Sequence, residues 1–215
     1  MRRQASAAHA RVGGLRFTKP ELRDLLLAWV ALGIAFTLFL DRRTVFAALN
    51  NPSAVSTIVV TGTIVRSLAT VGIGFLLHEL AHKVVAVRFG QIAWFRADYG
   101  MLGLAVAAGL AGFLFAAPGA VHHRGRITAR ENGLIAVAGP VTNLGLAVLF
   151  LPLAFGPGFI GSVGNLGVTI NLLLAAFNML PVGPLDGKKV LSWSRPVFLT
   201  VFVPSVAIAL WLFLF

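Results

Sequence analysis

Cysteine is missing from all 215 residues of the chain. Its absence excludes disulfide bonds and thiolate ligands, so any metal site must use nitrogen and oxygen atoms. Acidic residues are also scarce, with seven Asp and Glu against eighteen Lys and Arg. Charged residues make up only 12% of the chain, whereas hydrophobic residues make up 58%. This composition excludes an ordinary soluble domain and predicts a membrane protein with several apolar helices.

The basic residues lie between apolar runs rather than along one amphipathic face. This distribution predicts a multi-pass protein of the cell membrane with its basic loops inside, and it argues against a nucleic-acid partner. Residues 1–23 form a basic tail that we expect to be flexible and cytoplasmic; binding of this tail to anionic lipid is the alternative. Residues 24–215 are expected to form one membrane-embedded domain without a cleavable leader.

The hydrophobic pattern predicts an all-α polytopic membrane protein with five or six transmembrane helices. Five predicted spans cover residues 24–40, 67–89, 133–153, 163–180 and 197–215. Arg66 is placed at the outer interface, where its side chain can reach water. Gly139-Pro140 is placed in the first turns of the third span, where proline costs least.

Residues 100–118 are apolar but rich in glycine, and two interpretations are open. The segment is long enough to cross the membrane as a sixth span. Arginines flank it on both sides, however, and a full crossing would place one of these clusters outside. A re-entrant hairpin buried in protein keeps both clusters inside, and we favour it. The flanking residues 91–99 and 119–128 are predicted strands.

The second span contains His78-Glu79-Leu80-Ala81-His82. On a helix this spacing places both histidines on one face, one turn apart. Two imidazoles at that spacing suit one Zn²⁺ per chain, with Glu79 beside them as general base. Ionisable groups within an apolar span are costly, which further indicates a functional site.

A catalytic zinc ion usually takes three protein ligands, so a third ligand must come from elsewhere in the chain. The candidates are His122, His123, Glu131 and Asp186. The two adjacent histidines are typical of a solvated loop, and Glu131 is typical of the start of a helix. Asp186 follows a Pro-x-x-Pro segment at the end of the fourth span. With a re-entrant hairpin, the second and fourth spans run in the same direction, which brings Asp186 level with the two histidines.

These residues resemble the site-2 proteases, a family of intramembrane zinc metalloproteases. The likeness rests on the H-E-x-x-H motif and on Asn178, Pro181, Asp186 and Gly187 in the pattern N-x-x-P-x-x-x-x-D-G. Gly139-Pro140 is a weaker third element, and the resemblance covers about residues 67–189. It implies that Asp186 is the third zinc ligand, that Asn178 binds or polarises the substrate, and that three helices form the catalytic core.

The resemblance implies hydrolysis of a peptide bond in or near the transmembrane segment of a membrane-protein substrate, at a site facing the cytoplasm. The extra apolar segment 100–115 departs from simpler members, and we expect neither a PDZ insertion nor a nucleotide-sensing domain. The predicted strands either pair with an unwound substrate or merely cover the site. Two other functions stay open. One is a metal transporter that uses His78, Glu79 and His82 as a transit site, and the other is a membrane-anchored zincin with Glu131 as third ligand.

Overall fold

The computed structural model describes residues 9–12, 15–51, 53, 55–113 and 118–214. The described part of the chain begins with two short antiparallel strands, β1 (His9–Val12) and β2 (Leu15–Thr18). Within the tail expected for residues 1–23, residues 15–18 thus form a strand and helix α1 already begins at Lys19, while residues 1–8 lie outside the described part of the chain. Thr18 caps that helix, since its hydroxyl accepts from the Glu21 backbone N–H at 3.3 Å.

Helix α1 (Lys19–Asn50) is longer than the predicted span 24–40 at both ends. Asp41 has non-helical backbone angles, φ −127° and ψ 34°, and interrupts the helix. Its carboxylate forms an ion pair with the guanidinium of Arg66 on the next helix. The hydrophobic pattern could not reveal this ion pair. By neutralising Arg66, the pair allows the next apolar helix to continue through that charged residue.

A second long helical rod runs through α2 (Thr57–Ser67), a π-helical turn (Leu68–Gly72) and α3 (Ile73–Arg88). The predicted start at residue 67 is therefore wrong, because the rod begins ten residues earlier. In the π-helical turn the carbonyl of Leu68 accepts from the Ile73 backbone N–H, five residues on. The same carbonyl also accepts from the indole N–H of Trp29 on α1, at 3.1 Å.

The glycine-rich segment lies between two paired strands, β3 (Ile92–Ala97) and β4 (Gly119–Arg124). Helix α4 (Tyr99–Ala111) between them has 13 residues and ends at Gly112 with a φ of 82°. Such a helix is about 20 Å long, well short of the ~30 Å of a bilayer core. Ala97 pairs with Gly119, so the chain returns to the point from which it left. The predicted strands are therefore confirmed, and the re-entrant path of the segment between them stays a prediction.

The second half of the chain is helical: α5 (Ala129–Ala154), α6 (Gly158–Asn178), α7 (Asp186–Trp193) and α8 (Arg195–Leu214). Helix α5 begins four residues before the predicted span, with a capping box between Thr128 and Glu131. Gly139 and Pro140 therefore lie well inside α5, and their predicted place in its first turns is wrong.

Four helical segments in the described part of the chain are long and apolar enough to cross a membrane: Lys19–Asn50, Thr57–Arg88, Ala129–Ala154 and Gly158–Asn178. Helix α8, the fifth predicted span, is also apolar. Helix α5 packs along α6 on one side and against α3 on the other, which forms a central three-helix unit. The chain is thus an all-α polytopic membrane protein with one small two-stranded insertion between α3 and α5.

Candidate metal centre

Helix α3 places His78 and His82 one turn apart on a face that is covered by α5. Both side chains are buried, and their rings stand nearly perpendicular to each other at 87°. The two Nε2 atoms lie 3.0 Å apart. The spacing in the sequence thus produces two converging imidazole nitrogens within the helical bundle.

The other ring nitrogens fix the tautomer of each histidine. Nδ1 of His82 lies 2.7 Å from the carbonyl oxygen of Ile135, and a carbonyl can only accept a hydrogen bond. Nδ1 of His78 lies 2.6 Å from Oδ1 of Asn143. The amide nitrogen of Asn143 donates to the Gly74 carbonyl at 3.2 Å and to Oδ1 of Asn171 at 2.8 Å, so its oxygen faces His78. Both Nδ1 atoms therefore carry the proton, and both Nε2 atoms present lone pairs.

Asp186 completes a triangle of ligand-type atoms. Its Oδ2 lies 3.3 Å from Nε2 of His78 and 3.1 Å from Nε2 of His82. A tetrahedral zinc ion with bonds of about 2.0–2.2 Å keeps its ligand atoms about 3.3 Å apart. Two lone pairs and a carboxylate that face one another repel unless a cation lies between them. The donor set and its spacing therefore fit a zinc ion.

The chain reaches Asp186 through a tight turn at the end of α6. Residues 179–185 leave the helix, and Gly183 adopts a φ of 55° that favours glycine. Gly187 lies so close to the end of α6 that an added Cβ would meet the Met179 carbonyl oxygen at 2.0 Å. This close approach turns α7 back against α5 and carries Asp186 to the histidines.

Gly139 of α5 lies directly against the two imidazoles. A Cβ at this position would lie 2.5 Å from Cε1 and Nε2 of His78 and 2.6 Å from Cε1 of His82. The absence of a side chain thus allows α5 to approach α3 closely enough for Asn143 and Ile135 to reach the ring nitrogens.

Glu79 lies beside the two histidines and contacts β4. Its carboxylate is buried, and its Oε2 accepts a hydrogen bond from the backbone N–H of Val121 at 3.0 Å. Ligand-type atoms of His78, Glu79 and His82 lie within 4.8 Å of one another. The hydrogen bond fixes one carboxylate oxygen, and the other oxygen has no hydrogen-bond partner among the described residues.

The structure does not bring the other predicted candidates to the metal centre. Glu131 lies in the exposed capping box, where it accepts from the Thr128 backbone N–H at 2.8 Å. This placement removes the ligand that the zincin alternative required. His122 lies on the exposed side of β4 and stacks on Trp94.

His123 points to the other side of β4 and is half-buried. Burial, followed by the nearby positive charge of Lys189, lowers the pKa of His123 below its ordinary value. No hydrogen bond joins this imidazole to the metal centre in the described part of the chain.

Asn178 belongs to the motif but not to the hydrogen-bonded cluster. Its amide nitrogen donates to the carbonyl of Leu174 in its own helix at 3.0 Å. Sequence analysis instead overlooked Asn143 and Asn171, which are fully buried and support His78. An available signal was the presence of asparagines in the middle of two apolar spans, where an amide is costly unless it is bonded.

The fold and the site define a class, a polytopic membrane protein with a candidate zinc centre on a His–Glu–His helix. The chain is 38% identical over 202 residues to "Putative zinc metalloprotease MJ0611" of Methanocaldococcus jannaschii, covering 92% of this chain and 96% of that protein. The chain therefore belongs to the zinc metalloprotease family that includes MJ0611.

Two shorter matches agree with this family. The chain is 32% identical over 145 residues to "Putative zinc metalloprotease YwhC" of Bacillus subtilis, covering 57% of this chain and 65% of that protein. It is 36% identical over 129 residues to "Putative zinc metalloprotease Rip3" of Mycobacterium tuberculosis, covering 56% of this chain and 29% of that protein. No family model matches the chain, and no solved structure matches it.

Proposed function

We propose that this protein is an intramembrane zinc endopeptidase of the site-2 protease type, which hydrolyses a peptide bond in or near the transmembrane segment of a membrane-protein substrate. The observation that carries the proposal is the position of the His78–His82–Asp186 triangle, buried between helices that are long and apolar enough to span a bilayer. Large apolar side chains such as Val148 and Leu149 are exposed on the outer face of α5, as expected for contact with lipid.

His78, His82 and Asp186 are the proposed zinc ligands, with one ion per chain. The zinc ion supplies Lewis acidity toward a water molecule and the scissile carbonyl. The protonated Nδ1 atoms of both histidines keep their Nε2 lone pairs directed at the ion. Lys189 lies 3.4 Å from the other oxygen of Asp186 and balances part of its charge.

Glu79 is the proposed general base. Its Oε2 is held by the Val121 N–H, while its Oε1 is available to accept a proton from water and to deliver that proton to the leaving amine. The resemblance assigns Asn178 to the developing oxyanion. Because its amide donates to the Leu174 carbonyl here, this role requires the side chain to rotate when substrate binds.

The substrate must present an extended backbone, because a helix occupies its own carbonyl groups. The backbone groups of β4 that do not face β3 line the side of the sheet nearest Glu79, and an unwound segment can pair with them. The basic loops favour a cytoplasmic position for this end of the protein.

The test uses the detergent-purified Glu79→Gln variant, with Glu131→Gln as a matched control at an exposed carboxylate. We expect Glu79→Gln to carry about one zinc ion per chain yet to leave uncleaved a single-span reporter protein that the wild type cleaves. The control should retain both zinc and activity. Normal cleavage by Glu79→Gln, or an active preparation without metal, would contradict the proposal.

A further inference from the structure

A buried ion pair joins the start of α1 to the metal-bearing helix. Glu21 and Lys83 are 3% and 1% exposed, and their side chains contact each other. Lys83 directly follows His82 in the sequence. Its ammonium also donates to the Arg16 carbonyl at 2.8 Å and lies 3.8 Å from the centre of the Phe17 ring. The lysine is thus fully partnered, which a buried charge requires.

Glu21 also holds the sheet. The carboxylate oxygen that contacts Lys83 accepts a hydrogen bond from the backbone N–H of Phe95 at 3.0 Å. Phe95 belongs to β3, and its N–H points away from β4 toward α1. One carboxylate therefore connects α1, α3 and the outer edge of β3.

The opposite edge of the same sheet is held by Glu79. Phe95 and Val121 are direct partners in the register of β3 and β4. Their N–H groups point to opposite edges, and each is bound by a glutamate: Phe95 by Glu21 and Val121 by Glu79. Glu79 and Lys83 lie one turn apart on α3. The contacts therefore form a closed path. It runs from Lys83 on α3 through Glu21 to β3, across the strand pair to β4, and back to α3 at Glu79.

We propose that Glu21 and Lys83 are positioning residues for Glu79. Through Phe95 they fix the sheet against α3, and the sheet in turn places the Val121 N–H on the Glu79 carboxylate. Lys83 follows His82 in the chain, but no hydrogen bond or ion pair among the described residues joins either side chain to the proposed zinc ligands, so the pair orients the general base without binding the metal. This inference rests on the proposed function for its catalytic consequence, but its structural part does not depend on activity.

The test compares Glu21→Gln, Lys83→Met and the double variant in full-length protein. Each single variant leaves one buried charge without its partner, whereas the double variant removes both charges and Gln still accepts from Phe95. For the single variants we expect amide exchange in β4 to rise and kcat to fall, each about tenfold or more, with zinc content unchanged. The double variant should stay within about threefold of the wild type in both readouts.

Asp24→Asn is the matched control. Asp24 also lies near the start of α1 and accepts from the β3 edge at Ala97, but Ala97 pairs with Gly119, whereas Glu79 is hydrogen-bonded at Val121. This control should leave kcat unchanged.

A second check is Val121→Pro. Proline has no backbone N–H, so this variant removes the hydrogen-bond donor to Glu79, and the pairing of β4 with β3 does not use that N–H. The variant should lower kcat, and adding Glu21→Gln should lower it no further.

Several outcomes would overturn the inference. If the single variants show the same amide exchange rates in β4 as the wild type, the ion pair does not hold the sheet. A loss of zinc in parallel with activity would assign Glu21 and Lys83 a general structural role. If the decreases in kcat caused by Glu21→Gln and Val121→Pro are additive, Glu21 does not act on Glu79 through Val121. If no reporter is cleaved by the wild type, the proposed function fails, and the exchange experiment still decides whether the ion pair holds the sheet.

Discussion

Nδ1 of His78 on α3 lies 2.6 Å from Oδ1 of Asn143 on α5, across 65 positions of sequence. Asn143 is itself held by Asn171 of α6, whose amide nitrogen donates to the Gly167 carbonyl at 2.8 Å. One chain of hydrogen bonds thus links all three central helices to a single imidazole. Because the orientation of His78 depends on this chain, its loss must weaken the metal centre.

Asn143→Ala should lower zinc affinity by about 10- to 100-fold, the usual cost of losing a partner that orients a metal ligand. Competition with a chelator on the purified protein measures this change. Asn165→Ala is the control, because Asn165 is an asparagine of α6 whose amide donates to the Gly161 carbonyl, and no hydrogen bond among the described residues joins it to Asn143. Equal zinc affinity in the two variants would contradict the orienting role.

Gly139→Ala should also weaken zinc binding, by at least about tenfold, because the new methyl group would overlap both imidazoles and displace them from their hydrogen-bond partners. Zinc content and thermal stability of the purified variant measure the effect. Gly145→Ala on the same helix is the control, since a Cβ there meets nothing within 4 Å. A Gly139→Ala protein with full zinc content would show that α5 can move away without cost.

The sequence was informative wherever the chemistry is local. The H-E-x-x-H spacing placed His78 and His82 on one helix face, and the hydrophobic runs located the main helices. Boundaries were less accurate, for two different reasons. The helix that begins at Thr57 carries Arg66, whose partner Asp41 lies 25 positions away, so its start depends on a contact that no local pattern shows. The start of α5 is set locally by the capping box of Thr128 and Glu131, which the hydrophobic pattern alone does not detect.

The residues that hold the metal ligands and Glu79 in place could not be predicted by the same reasoning. Asn143, Asn171 and Glu21 act through contacts that span 28 to 74 positions, and no spacing rule encodes such contacts. Strands β1 and β2 were also not predicted. They pair with each other locally, but β2 is held in place by Lys83, which donates to the Arg16 carbonyl from 67 positions away.

Asp186→Ala should reduce zinc affinity by more than about 100-fold, because it removes a direct ligand rather than a supporting group. The same change at Glu131 should leave zinc content unaltered, since that carboxylate lies in the capping box of α5. Metal analysis after dialysis of both variants separates the two assignments. Zinc loss from Glu131→Ala with retention in Asp186→Ala would reverse the assignment of the third ligand.

The orientation in the membrane can be tested with single cysteines, because the natural chain contains none to interfere. Ser53 lies between α1 and α2, and Ser192 lies on α7 near Asp186; both are exposed. The 32-residue rod Thr57–Arg88 is about 48 Å long and separates the two ends of the bundle. A maleimide that does not cross membranes should label Ser53→Cys in intact cells, but Ser192→Cys only after permeabilisation. Wild-type protein should remain unlabelled in both conditions. Labelling of both variants in intact cells, or the reverse pattern, would contradict a metal centre that opens toward the cytoplasm.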